Sequence, residues 1–127
     1  MDFVATDSAP KAIGPYSQAV VTNGLVYTSG QIALDPASGN LVADSFEAQV
    51  RRVFQNLEAV LRGAGSDFGR VLKATVYLTD LANFQTLNSI YAEVFGDHKP
   101  ARTTVEVSQL PKGAAVEIEI IAHFSTP

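Results

Sequence analysis

The amino-acid sequence predicts an α+β fold in two layers, one β-sheet with two helices on one of its faces. Two stretches repeat apolar residues every three or four positions, as amphipathic helices do. Shorter runs are rich in β-branched and aromatic residues, and an Asn-Gly pair divides the first two of them. The resulting order is β-β-α-β-α-β-β, which lets both helices lie side by side on the same sheet.

Gln18–Thr22 and Leu25–Ser29 flank Asn23-Gly24. Both turn residues tolerate positive φ, so the segment predicts a hairpin closed by a type I′ turn. Asp35-Pro36-Ala37-Ser38-Gly39-Asn40 is a turn-rich loop. Phe46, Val50, Val53, Phe54, Leu57, Val60 and Leu61 then share one helical face, with Asp44 or Ser45 to cap its start and Gly63 to suit its end. Val71–Leu78 predicts a strand. The second helix carries Phe84, Leu87, Tyr91, Val94 and Phe95 on one stripe and is followed by Gly96. Thr103–Val107 and Val116–His123 are the last two strands, with Leu110-Pro111-Lys112-Gly113 as the turn between them.

Alternation along Val116–His123 sets Val116, Ile118, Ile120 and Ala122 against Glu117, Glu119 and Ile121. Val71–Leu78 divides likewise into Leu72, Ala74, Val76 and Leu78 against Val71, Lys73, Thr75 and Tyr77. The second face of each strand is neither wholly polar nor wholly apolar. A second copy of the chain would cover such a face, so the pattern predicts a homo-oligomer.

A chain of 127 residues, 46% apolar and 17% charged, suits one domain spanning 1–127 that buries a core without disulfide or metal staples. The net charge of −4 argues against a nucleic-acid partner, since phosphate binding draws on an excess of Lys and Arg. With no cysteine, disulfides, thiolate nucleophiles and Cys-ligated zinc are excluded. His98 and His123 stand far apart without ligand-spaced companions, and no metal site is predicted. No apolar run reaches membrane-spanning length, and Met1-Asp2-Phe3 lacks the basic start of a signal peptide, so the expectation is a cytoplasmic protein.

Several residues have the chemistry of a site. Arg102 follows Lys99-Pro100-Ala101 and opens a strand; an arginine fork binds a carboxylate through two parallel hydrogen bonds, and a surface ion pair is the plainer alternative. Glu117 and Glu119 face one way and could serve as a general base, or simply form a solvated strand face. Asn88 falls on the apolar stripe of the second helix, as a pocket wall or a structural hydrogen-bonder. Gly14-Pro15-Tyr16-Ser17 and Ser29-Gly30-Gln31 are turns whose glycines also permit close approach to a ligand. Gly63-Ala64-Gly65 with Gly69 has neither the spacing nor the preceding strand of a dinucleotide fingerprint.

In order along nearly the whole chain, Gly14-Pro15-Tyr16-Ser17-Gln18-Ala19, Tyr27-Thr28-Ser29-Gly30-Gln31, Asn56-Leu57, Lys73 to Asp80, Asn88, Pro100-Ala101-Arg102 and Leu110-Pro111 through Val116-Glu117-Ile118-Glu119 resemble the RidA (YjgF) family of reactive-intermediate deaminases. The resemblance implies a chorismate-mutase-like fold, a homotrimer around a central barrel, and active sites in the clefts between subunits. It implies a hydrolase that needs no cofactor and takes 2-imino acids, such as 2-iminobutanoate and 2-iminopropanoate, to 2-keto acids and ammonia. Those imines are unstable products of pyridoxal-phosphate dehydratases, so the deaminase protects against their damage.

By position, Arg102 would bind the substrate carboxylate and Glu117, rather than Glu119, would place the hydrolytic water. Tyr16, Ser29, Gly30 and Asn88 would line or shape the pocket. Thr104 stands where many members carry cysteine, and its backbone N–H would contact substrate. The same resemblance leaves two other readings: a ribonuclease or translation inhibitor, which the acidic balance opposes, and a non-catalytic metabolite-binding or chaperone-like trimer.

Overall fold

The computed structural model describes residues 1–124. Its strands are β1 (Asp2–Val4), β2 (Ala19–Thr22), β3 (Leu25–Thr28), β4 (Val71–Leu78), β5 (Ala101–Glu106) and β6 (Val116–His123), and its two long helices are α1 (Phe46–Gly63) and α2 (Phe84–Phe95). The strands form one mixed sheet in the order β1-β2-β3-β6-β4-β5. Only β4 and β5 run parallel, with α2 as the crossover between them. The fold is α+β, two helices on one face of the sheet, as the periodicities predict.

Local chemistry explains each boundary. Asn23 (φ 52°) and Gly24 (φ 77°) both take the left-handed conformation and close the β2–β3 hairpin. Ser45, not Asp44, caps α1: its Oγ accepts from the Ala48 N–H at 3.0 Å. The helix runs through Gly63, and Gly65 (φ 81°) supplies the left-handed turn expected of Gly63. β5 starts at Ala101 and takes in Arg102, two residues earlier than the β-branched run suggests, because pairing with β4 extends it. β1 is an additional edge strand; three residues are too few to show a period.

One face prediction fails. Val71 pairs with Ala122 and Lys73 with the adjacent Ile121, so β4 carries a bulge at Leu72. The extra residue reverses the alternation. Val71 is buried at 1% exposure and Leu72 is 46% exposed, the opposite of the simple pattern.

The core lies between α1 and the sheet. Val50, Val53, Phe54, Leu57, Val60 and Leu61 of α1 pack over Val26, Ala74, Val76, Val116, Ile118 and Ile120. Burying each such large side chain contributes about 1.5–3 kcal/mol relative to leaving it in water. The Phe54 ring meets Phe68, Tyr91 and Phe95 edge-on, each at 6.0 Å between centroids, and so knits α1 to α2. Fully buried Asn56 donates to the carbonyls of Ile32 and Leu34 and accepts from Arg52 Nε. Those bonds satisfy the amide and fix the loop after β3 to α1.

The other face of the sheet is uncovered by helix. Phe3, Val20, Tyr27, Ile121 and Lys73 stand in register across it from β1 to β4. Phe3 is 67% and Tyr27 42% exposed. Among the described residues no helix is long and apolar enough to cross a membrane.

Leu57 is the most direct test of this packing, being wholly enclosed in the middle of α1. Leu57→Ala is expected to lower unfolding free energy by about 2–5 kcal/mol in urea titration. A loss below about 1 kcal/mol would mean that α1 does not dock on the sheet as described.

Candidate functional site

β6 brings the first part of the site into place. Its inward residues anchor it in the core, and the alternation turns Glu117 and Glu119 to the uncovered face. Beside it, the Gln31 N–H donates to the Ile118 carbonyl at 2.9 Å and the Ile118 N–H to the Gln31 carbonyl at 3.1 Å. This short bridge draws Gly30 against Glu117. A Cβ on residue 30 would lie 2.5 Å from Glu117 Oε2 and 2.8 Å from its Cδ, so only glycine allows the approach.

The two glutamates differ in their bonding. Glu119 accepts a hydrogen bond from the Tyr77 hydroxyl at 2.5 Å. Glu117 forms no hydrogen bond or ion pair among the described residues. Burial pushes its carboxyl above the usual carboxylate range, and the neighbouring Glu119 charge adds to the push. A half-buried carboxylate with raised basicity and free lone pairs is suited to hold and deprotonate a water. Glu117 opens on a cleft of about 600 Å³ whose walls include Ile13, Tyr16, Ser29, Gly30 and Lys112.

Two residues that the motifs did not single out as site residues build that cleft. Gln18, only 4% exposed, accepts from the Thr6 N–H and donates to the carbonyls of Thr6 and Pro10. It thereby holds the segment leading to Tyr16. Ser29 Oγ donates to the Ser17 carbonyl at 2.5 Å and ties the same segment to the end of β3. Gln31 supplies the bridge described above. A buried amide looks like any surface glutamine in sequence, so Gln18 and Gln31 stand within the matching segments but nothing there marks their structural role.

Arg102 sits elsewhere. It pairs with Ala74 in the β4–β5 ladder, and Ala74 faces the core, so the arginine rises on the helix side of the edge strand. Its Nη1 donates to Asn88 Oδ1 at 2.7 Å. Its guanidinium carbon lies 4.8 Å from the Tyr91 ring centre and 5.5 Å from that of Phe84. It makes no ion pair among the described residues, unlike Arg51, Arg62 and Arg70. Arg102 therefore stands as a cation aligned by an amide and two aromatic faces, with no anion against it among the described residues. Thr104, next on the same side of β5, has a buried hydroxyl without a hydrogen-bond partner, as has Tyr91.

The candidate residues thus form two groups. Tyr16, Ser29 and Gly30 gather around Glu117, and Asn88 and Thr104 accompany Arg102. Glu117 pairs with Tyr77 on the uncovered face, whereas Arg102 pairs with Ala74 on the covered one. Within one chain the two charged groups lie on opposite sides of the sheet and two strands apart. Among the described residues no cluster of three His, Asp or Glu side chains gathers as metal ligands.

The family model described as endoribonuclease L-PSP matches residues 6–124. A RutC family protein of Pyrococcus horikoshii is 46% identical over 122 residues, covering 96% of this chain and 97% of that one. The 2-iminobutanoate/2-iminopropanoate deaminase of Homo sapiens is 44% identical over 119 residues, covering 94% of this chain and 87% of its own. The structure of E. coli TdcF with bound serine has a TM-score of 0.93 at 41% identity, over 98% of this chain and 100% of that one.

The close approach at Gly30 yields a direct test. Gly30→Ala leaves an allowed backbone but drives a methyl group into the Glu117 carboxylate. The variant is expected to melt near the wild-type temperature while the Glu117 carboxyl signal shifts in carbon-13 NMR. An unmoved signal would mean that residue 30 does not confine this carboxylate.

Proposed function

Since this chain belongs to the endoribonuclease L-PSP family, in which the RidA deaminases fall, we propose that it hydrolyses small 2-imino acids to 2-keto acids and ammonia without a cofactor. The observation that carries the reading is the unanswered charge of Arg102. An arginine fork fixed by Asn88 and set against two rings, with no carboxylate partner among the described residues, is ready for the carboxylate of a ligand. The human relative carries the name of this activity, and the TdcF structure holds serine, a small amino acid with the same carboxylate.

In this reading the site is completed by assembly. Three chains packed by their uncovered sheet faces would carry Arg102 of one to the Glu117 cleft of the next. The exposed Phe3, Tyr27 and Val105 on those faces favour such burial. Each finished site then holds one fork and one carboxylate, neither of which can reach the other within a chain.

The chemistry follows from that pairing. Arg102 takes the substrate carboxylate and fixes the plane of the adjoining C=N carbon. Glu117 accepts a proton from a water as its oxygen forms the C–O bond, and the C=N electron pair moves to nitrogen. That proton is passed to the nitrogen, giving a carbinolamine. Glu117 then takes the hydroxyl proton and delivers it to the amine, the C–O double bond forms as the C–N bond breaks, the electron pair leaves on ammonia and the 2-keto acid remains. No nucleophilic side chain is required, so Thr104 in place of cysteine does not block the sequence. Tyr16 and Ser29 shape the wall against which the substrate lies.

Purified protein added to a threonine dehydratase reaction is expected to speed decay of the imine to 2-oxobutanoate. No acceleration, together with cleavage of RNA that weakens steeply with added salt, would favour the ribonuclease reading instead. Sedimentation is expected to give a mass of about 40 kDa for three 13.5 kDa chains. A monomer at micromolar concentration would separate the two halves of the site and end this mechanism.

Glu117→Gln keeps the shape and loses the base. It is expected to reduce turnover about 10²-fold or more, with Glu119→Gln doing far less at the pH optimum. Arg102→Ala and Arg102→Lys are both expected to lose most activity, and binding of 2-oxobutanoate by calorimetry should fall about tenfold to a hundredfold. Melting temperature and mass should stay close to wild type. Unfolded monomer in place of an inactive trimer would make Arg102 a structural residue.

A further inference from the structure

The uncovered face holds a second carboxylate that the mechanism above leaves idle. Glu119 lies two residues from Glu117 on the same side of β6, roughly 7 Å along the strand. A glutamate there would ordinarily sweep through solvent on a flexible side chain. Here the Tyr77 hydroxyl holds it. Tyr77 stands directly opposite Glu117 in the ladder, but its hydroxyl reaches past that partner to Glu119. One tyrosine thus packs beside the first carboxylate and fastens the second.

We propose that Tyr77 and Glu119 form a positioning pair for Glu117, a fixed negative neighbour that sets the pH at which Glu117 takes up its proton. The proposal rests on the reading of Glu117 as the base. Its direction follows from charge. An anchored Glu119 carboxylate disfavours a second negative charge, so Glu117 holds its proton to higher pH and is a stronger base once ionised. The hydrogen bond to Glu119 likewise keeps the Tyr77 phenol protonated, the first cause of its raised titration, with burial second. Donor and acceptor therefore stay matched across the working range.

The other titratable groups near Glu117 do not take this role. Lys11, Tyr16 and Lys112 line the cleft from the segments before β2 and after β5, and in the assembled site Arg102 of the next chain adds a cation whose pull on Glu117 is opposite in sign to that of Glu119. Lys73 of β4 shares the face but turns to β5, donating to Thr103 Oγ1 at 2.7 Å. Lys112 reaches toward the Gly39 carbonyl. Among the described residues around Glu117, only Glu119 is both a like charge and locked in place.

The test uses the full chain with glutamate labelled at its carboxyl carbon, Glu117→Gln serving to assign the signal. Carbon-13 NMR titration is run on wild type, Glu119→Gln and Tyr77→Phe, alongside the pH dependence of kcat/KM for imine hydrolysis. Glu119→Gln is expected to lower the Glu117 midpoint, and the acid limb of the rate profile with it, by about 0.5 unit or more. Tyr77→Phe, which frees Glu119 without discharging it, should move both in the same direction by less. An unmoved midpoint in Glu119→Gln overturns the proposal, and a shift in Glu119→Gln with none in Tyr77→Phe removes Tyr77 from it. If the midpoints move as stated but the wild type hydrolyses no imine, the pair stands and the deaminase reading falls.

Discussion

The molecule depends on β6 lying in the middle of the sheet. It hydrogen-bonds β3 on one side and β4 on the other, so both halves of the sheet are joined through it. Its pleat has two products. Val116, Ile118, Ile120 and Ala122 go inward and are essentially without exposure, which fixes the register, because a slip of one residue would put glutamates into the core. Glu117 and Glu119 consequently go outward at defined heights. The packing that stabilises the fold and the placement of the candidate base are the same fact about one strand.

Around that strand, polar groups do the local positioning. Gln18 secures the segment before β2, Asn56 secures the loop after β3, and Gln49 Oε1 accepts from the Ala115 N–H just ahead of β6. Each buried amide answers loop backbone groups that regular secondary structure leaves unpaired, and an unmet one would cost about 1–3 kcal/mol. The cleft beside Glu117 thus has walls set by specific bonds to a rigid frame. On the far side of the sheet Arg102 is aligned by an amide and aromatic rings, without neutralising its charge.

Much of this was legible in the sequence. The helical stripes and the Asn-Gly turn predict both layers and the first hairpin, because each is a local preference repeated often enough to dominate. Alternation in Val116–His123 predicts which glutamates face outward. It fails at Leu72, since a bulge is set by how two strands meet and not by either strand alone. Arg102, Glu117 and Gly30 could be singled out by residue type and resemblance. That Arg102 and Glu117 occupy opposite faces could not be, as it needs the strand order. The resemblance prefers Glu117 to Glu119, but the physical difference between them, which turns on where one tyrosine hydroxyl points, could not be read there.

The strand order also bears on how the protein comes off the ribosome. β6 is the sixth strand in sequence but the fourth across the sheet, between β3 and β4, which are made much earlier. Until it emerges, β1–β3 and β4–β5 are separate pieces, each with an open edge where β6 belongs. The helices can form as they are made, but the sheet cannot close over α1 from partial chain. Nascent chain in this window is the aggregation-prone species, and slow translation before residue 116 would lengthen its exposure.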